Sequence, residues 1–254
     1  MQNVESYFKE LVYPGRNIVV GRTVDGDLIF TYSIMGRSET SRNRVFKKDG
    51  KSIKTEAFDP SMVMDPSLII YNAVRSYEDK WIVTNGNQTD TIYEGFENNL
   101  TFEDSLDTRE YEDDDPNWTP RISALILPNH EEGRTLLKMS ILKNKNGHAR
   151  RFFYNYSEIE RDTAFIIQTY EESSDPLVSF SKDPVEVSLK GMTDIEDIAY
   201  GIFLNQNEDN RISVLGVNVD KKENIIINSN EMDEEVMRQL EEAEESKVMM
   251  EEER

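Results

Sequence analysis

The chain has 254 residues, 37% of them hydrophobic, and a formal net charge of -21. That length can bury a full core as one large domain or two small ones, and the acidic balance argues against nucleic acid as a partner, because phosphate backbones are bound through positive faces. The absence of cysteine excludes disulfides, thiolate metal sites and cysteine nucleophiles. The first ten residues lack the apolar stretch of a signal peptide, and no apolar run approaches a membrane span. A cytoplasmic protein without membrane contact is expected.

Residues 2–11 predict a short amphipathic helix closed by Tyr13-Pro14-Gly15. Residues 17–21 and 27–34 are β-branched and aromatic runs, with the hairpin turn signal Val24-Asp25-Gly26-Asp27 between them. Residues 44–47 predict a further short strand. Residues 67–77 and 80–84 flank Glu78-Asp79 and predict another hairpin, although the apolar run of the first also fits a helix. Residues 91–107 predict a helix with Ile92, Phe96, Leu100 and Leu106 roughly on one face, and Thr101 can cap a second short segment; Pro116 and Pro120 end any helix. Strands follow over 121–127, 135–142, 149–156 and 163–170, with Gly133 and Gly147 in the turns. Asp194 caps a helix over 194–205, with Ile195, Ile198, Ala199 and Ile202 apolar. Strands over 211–219 and 224–228 complete the series.

Strands that come in groups, without alternating helices, predict an α+β fold with two antiparallel sheets packed together and helices outside. Neither a compositional boundary nor an internal repeat divides the chain. One domain over residues 1–230 is expected, followed by an acidic helical or frayed tail over 231–254. That tail has eleven carboxylates against three basic residues. Met232, Val236, Leu240 and Ala243 give it a thin apolar stripe, and its charge serves solubility or a partner.

One stretch runs against the overall charge. Residues 13–54 hold nine Lys and Arg against four Asp and Glu, a net of +5. Guanidinium forks pair two-to-two with phosphate or carboxylate oxygens, so Arg16, Arg22, Arg37 and Arg44 form a candidate anion site; a solvated charged hairpin is the alternative. Glycine beside arginine, in Gly15-Arg16, Gly21-Arg22 and Gly36-Arg37, lets backbone amides approach an anion. Three other segments are rich in site-type polar groups. Thr84-Asn85-Gly86-Asn87-Gln88-Thr89-Asp90-Thr91 can bind a polar heterocycle, or serve only as a turn with Thr89 or Asp90 as helix cap. Tyr71-Asn72 ends an apolar run, where tyrosine is usually a core residue. Between Tyr111 and Arg121, four successive carboxylates repel, so one can titrate high and serve as acid or base; for most of Asp113, Asp114 and Asp115 an exposed loop is the reading. His130 and His148 read as surface residues, and no metal-ligand spacing emerges.

Taken in order, these segments resemble the stand-alone, archaeal-type IMP cyclohydrolase family. The matching pieces are Tyr13-Pro14-Gly15-Arg16, Gly21-Arg22, Arg37-Ser38 with Asn43-Arg44, Asp65-Pro66 with Tyr71-Asn72, the run Thr84 to Ile92, and Thr119-Pro120-Arg121-Ile122-Ser123-Ala124, with a weaker echo in Gln168-Thr169-Tyr170-Glu171. The leader before Tyr13 and the acidic tail are extensions with no carried-over role.

The resemblance implies a four-layer αββα sandwich like that of N-terminal-nucleophile hydrolases, without their self-processing. It also implies a reaction, the closure of 5-formamidoimidazole-4-carboxamide ribotide to IMP with loss of water, with no cofactor and no covalent nucleophile. On that reading Tyr71 and Glu112 are the proton-transfer pair, with Arg121 orienting Glu112. Arg16, Arg37 and Arg44 contact the ribotide phosphate or polarise the formyl oxygen. Arg22, Asn72, Asn85, Gly86, Thr89, Asp90 and Thr119 complete the substrate-binding set, with Asn85, Thr89 and Asp90 on base and ribose. A purine ribotide is the expected small-molecule partner, and a homo-oligomer is expected by analogy. The alternatives are a non-catalytic purine-nucleotide-binding protein of the same fold, and an amide hydrolase of the same architecture, against which the missing terminal nucleophile counts.

Overall fold

Alternation at period two decides which face of a strand enters the core. Along β1 (Asn17–Arg22), Ile18 and Val20 face one side and Val19 the other; along β2 (Leu28–Met35), Leu28, Phe30, Tyr32 and Ile34 face one side and Ile29 the other. The computed structural model describes residues 1–63, 69–129, 131 and 133–252. In it, β1 and β2 are central strands of a six-stranded antiparallel sheet. Its order is β11 (Val185–Ser188), β10 (Thr163–Gln168), β1, β2, β12 (Arg211–Asn218), β13 (Glu223–Asn228).

The second sheet has seven strands in sequence order: β3 (Val45–Asp49), β4 (Ser52–Glu56), β5 (Asn72–Tyr77), β6 (Lys80–Thr84), β7 (Arg121–Ile126), β8 (Leu137–Lys145) and β9 (His148–Tyr156). Neighbours pair antiparallel, as short connections demand. Ile122, Ala124 and Ile126 of β7 meet Phe30 and Ile18 across the gap and form the main core. Phe30 is wholly buried, a transfer worth about 2–3 kcal/mol for a side chain of that size.

Helices cover the outer faces. Val4 and Phe8 of α1 (Val4–Lys9) and Ile198 and Ile202 of α5 (Ile195–Asn205) pack with Val19, Ile29 and Val214 of the six-stranded sheet. Ile92 of α3 (Gln88–Glu97) and Phe102 and Leu106 of α4 (Phe102–Leu106) pack with Ile82, Leu125 and Leu142 of the seven-stranded sheet. A single turn, α2 (Glu39–Arg42), joins β2 to β3. The structure is therefore α+β, with two antiparallel sheets face to face.

Some expectations shift. The helix expected over 91–107 is two helices: Asn99 takes the left-handed region, and Thr101 caps α4 by accepting from the Asp104 amide at 3.1 Å, which leaves Leu100 exposed. Strands β4 and β11 were not foreseen, because each is four or five residues with mixed polar character. The strand expected from 67 starts at Asn72; part of that span, with Asp65, Pro66 and His130, lies outside the described residues. The Lys47 to Lys54 region is the β3–β4 hairpin, and His148 is exposed at the start of β9.

The tail forms α6 (Glu234–Glu252); of its apolar stripe, Met232 just before the helix packs inward and Leu240 is half-buried, whereas Val236 and Ala243 are exposed. Met237 packs against the α1–α5 cluster, Glu241 pairs with the buried Arg211, and Glu244 accepts from Asn205 at 3.2 Å. Among the described residues, no helix is long and apolar enough to cross a membrane.

Candidate functional site

The inward phase of β2 places Tyr32 in the core, and the approach to β5 places Tyr71 opposite it; their hydroxyls are 2.7 Å apart. Burial pushes both phenols up, and for Tyr71 the nearby Arg44 and Arg16 oppose that shift only in part. Tyr71 therefore carries its proton at neutral pH.

Arg16 enters from the loop before β1. Its backbone amide donates to Thr169 Oγ1 at 3.1 Å, and its carbonyl accepts from Thr169 N at 2.9 Å. This close approach requires Gly15, whose φ is +77° and where a Cβ would stand 2.2 Å from Thr169 Oγ1. The Arg16 Nη2 donates to both Glu112 oxygens at 2.8 Å. Burial works against its charge, but the Glu112 carboxylate opposes that and the guanidinium stays ionised. Arg44, just before β3, is equally buried. The Nε atoms of both Arg16 and Arg44 are buried without a hydrogen-bond partner.

These groups open onto a cavity of about 380 Å³, lined also by Arg37, Asp114, Thr119 and Tyr170. Arg37 donates to Ser174 O at 3.0 Å and lies over the Tyr13 ring, which stacks on Tyr170. The acidic loop folds back on itself. Glu112 N donates to Thr119 O at 2.8 Å, and Thr119 N donates to Asp114 Oδ1 at 2.6 Å. Thr119 Oγ1 also contacts Asp114 Oδ2, and it shares a hydrogen bond with the Tyr170 hydroxyl at 2.5 Å. Burial raises the Asp114 carboxyl, against the lowering effect of Thr119. A larger cleft of about 710 Å³ lies among the β3–β4, β5–β6 and β12–β13 turns, but none of the site residues expected from sequence lines it.

The turn after β6 forms an adjoining polar scaffold. Asn85 Nδ2 donates to Pro120 O at 2.9 Å, and its Oδ1 accepts from Ile122 N at 2.8 Å and Gln88 Nε2 at 2.9 Å. Gln88 Oε1 accepts from Arg121 Nη1 at 2.9 Å. A Cβ on Gly86 would stand 2.4 Å from that Nη1, so only glycine leaves Arg121 its place. Thr89 is bound to Thr84 at 2.6 Å, and Asp90 accepts from Asn72 at 2.9 Å and Arg75 at 2.7 Å.

The expected residues thus divide. Arg16, Arg37, Arg44, Glu112 and Thr119 line one cavity, with Tyr71 in the buried layer beside Arg16 and Arg44. Asn85, Gly86, Thr89 and Arg121 form the scaffold next to it. Asn72 and Asp90 bind each other at its edge. Arg22 stands apart at the far end of β1, where Nη1 donates to Gly26 O at 2.7 Å. A six-residue strand spans about 17 Å, too far for one anion to bridge Arg16 and Arg22. The hydrogen-bonded partner of Glu112 is Arg16; Arg121 bonds to Gln88 and meets Glu112 only through its charge. Tyr32, Asp114 and Tyr170 were missed. Tyr32 was signalled only by the inward phase of its strand, and Asp114 by a threonine five residues on.

Residues 13–223 match the family model of the IMP cyclohydrolase-like protein. The chain belongs to that family. An IMP cyclohydrolase of Methanococcus maripaludis is 35% identical over 120 residues, covering 45% of this chain and 58% of the relative. The chain thus spans little more than half the length of that relative. IMP cyclohydrolases of Methanosphaera stadtmanae and Methanocaldococcus jannaschii are 28% identical over 203 residues and 27% over 208, covering 70% and 71% of this chain and 99% and 100% of the relatives. In this IMP cyclohydrolase-like chain the matched span begins at Tyr13 and contains the whole cavity lining, while α1 and α6 lie outside it.

Proposed function

We propose that the protein is an IMP cyclohydrolase, closing 5-formamidoimidazole-4-carboxamide ribotide to IMP in purine biosynthesis. One observation carries this reading: two buried arginines with unpartnered Nε atoms share a cavity with a carboxylate, beside a buried protonated tyrosine. An unpaired buried donor is costly, and an anionic ligand relieves it. Arg37 and Arg44 face the ribotide phosphate. Asn85, Gly86, Thr89 and Arg121 shape the wall for the base, and Thr119 holds the acidic loop.

In the reaction the carboxamide nitrogen attacks the formyl carbon of the same molecule, forming the ring C–N bond. The nitrogen loses one proton and the formyl oxygen gains one, giving a cyclic carbinolamine. The C–OH bond then breaks, and the hydroxyl leaves as water with the proton of the former formamide nitrogen. Tyr71 donates towards the formyl oxygen, because burial keeps its proton in place. Glu112, oriented by Arg16, accepts from the carboxamide nitrogen. Holding the formyl group against the amide removes several kcal/mol of barrier, and donors aimed at the oxyanion remove about 3 kcal/mol more.

The layering supports the sandwich of N-terminal-nucleophile hydrolases, with a single domain over 1–230 and α6 as an appended element. A cytoplasmic, homo-oligomeric enzyme fits a diffusible ribotide substrate. Incubation with the formyl ribotide tests the reading, with IMP formation as the expected result. IMP binding without IMP formation establishes instead a purine-nucleotide-binding protein.

A further inference from the structure

The loop that brings Arg37 and Arg44 to the cavity is held from behind by the C-terminal part of the chain. Gly36 N donates to Asn210 O at 2.8 Å, and the Arg42 guanidinium reaches Asp209 O. Beyond β13 the stitching tightens. Asn230 Nδ2 donates to Arg42 O at 2.8 Å and to Arg44 O at 3.2 Å, one amide gripping both sides of Asn43-Arg44. Asn228 does the same one step on: its Oδ1 accepts from Phe46 N at 2.9 Å and its Nδ2 donates to Phe46 O at 3.1 Å. Glu231 accepts from Asn228 at 2.7 Å and pairs with Lys47. Side-chain amides here complete the backbone bonding of residues 42–47, where sheet pairing is still beginning.

This matters because Arg44 is buried, yet its Nε has no partner of its own. Its backbone carbonyl is held by Asn230, and Phe46, two residues on, is held by Asn228. The family match ends at residue 223, before both.

We infer that Asn228 and Asn230 are positioning residues for ligand binding, holding the Arg44 backbone so that its guanidinium faces the anion. The inference rests on the anionic-ligand reading of the cavity and not on turnover. Asn228 is buried in the sheet, whereas Asn230 is half-buried on a turn, so Asn230 is the residue to change.

The test compares wild type, Asn230→Ala and Asn230→Asp in the full chain. The aspartate sets a carboxylate against two carbonyl oxygens and so does more harm than alanine. Expected for Asn230→Ala is faster amide exchange confined to residues 42–46 and about three- to tenfold weaker IMP binding by calorimetry, the scale of one or two lost hydrogen bonds. KM for the formyl ribotide rises by a like factor while kcat stays within about twofold. Exchange and IMP binding need no catalysis, so they decide the inference even if the wild type forms no IMP. Unchanged exchange at 42–46, unchanged IMP affinity, or a loss of kcat at constant KM overturns it.

Discussion

The Tyr32 and Tyr71 hydroxyls meet at 2.7 Å across the interface of the two sheets, one from the middle of β2 and one from the approach to β5. Each is the other's hydrogen-bond partner in a buried layer that also holds Arg16 and Arg44; burial keeps the proton on Tyr71, while the two arginines and the Tyr32 hydroxyl favour its release. Tyr71→Phe is expected to lower kcat by about 10²–10³-fold, the usual worth of a positioned acid. Tyr32→Phe leaves Tyr71 in place without its partner and costs about tenfold. IMP formation under saturating ribotide measures both; equal rates for the three proteins would remove Tyr71 from the chemistry.

Glu112 and Arg16 are nearly buried and hold each other, so removing one strands the other. Glu112→Ala is expected to cost about 3 kcal/mol, the lower end for breaking a buried pair. The double change Arg16→Met with Glu112→Leu recovers most of that stability and none of the activity. Urea denaturation reads the first effect and the turnover assay the second.

Alkaline stability reports on Tyr170. Its phenol titrates at about 12 because of burial, against 10.0 for the free group. The raised folded value means that its contribution is fully present below pH 10 and is lost as pH rises towards 12. The loss amounts to about 2–3 kcal/mol over that window. Tyr170→Phe is expected to flatten the decline in urea midpoint between pH 10 and 12. A slope remains, because burial also raises Tyr7 and Tyr156.

Arg22 supplies a negative control. It donates to Gly26 O in its own hairpin, away from the cavity. Arg22→Ala should leave kcat/KM within about twofold, with a stability cost of about 1 kcal/mol for the lost hydrogen bond. A large rise in KM for the ribotide would place the anion elsewhere.

Gly86 tests the scaffold. A methyl group there meets Arg121 Nη1 at 2.4 Å and Gln88 Oε1 at 2.7 Å. Gly86→Ala is expected to dislodge Arg121 and lower kcat/KM about tenfold or more, as misplacement by an ångström does. Gly133→Ala, where no atom lies within 4 Å, controls for a general loss of activity, although its left-handed φ adds a small stability cost.

Much of the fold is legible in the chain. The hairpin at Asp25-Gly26, the Asp194 cap on α5 and the alternation along β1 and β2 are local signals, and local geometry enforces them. β4 and β11 were not legible, because short edge or near-edge strands owe their form to a neighbour's hydrogen bonds. The site was legible in kind but not in wiring. Arginines, a tyrosine and a carboxylate stood out, yet their pairing did not, and Asp114 was set aside as loop although it closes on Thr119.

By itself, then, the sequence determined most strands of the two sheets, the helical segments that cover them and the set of polar segments from Tyr13 to Arg121, because each depends on residues a few positions apart. Only the tertiary structure decided that Glu112 faces Arg16, 96 residues away, that Gln88 takes Arg121, that Arg22 points elsewhere, and that Asn230 holds the loop of Arg44. Which charge meets which depends on sheet register and on how two sheets stack, and no periodicity within one segment encodes that.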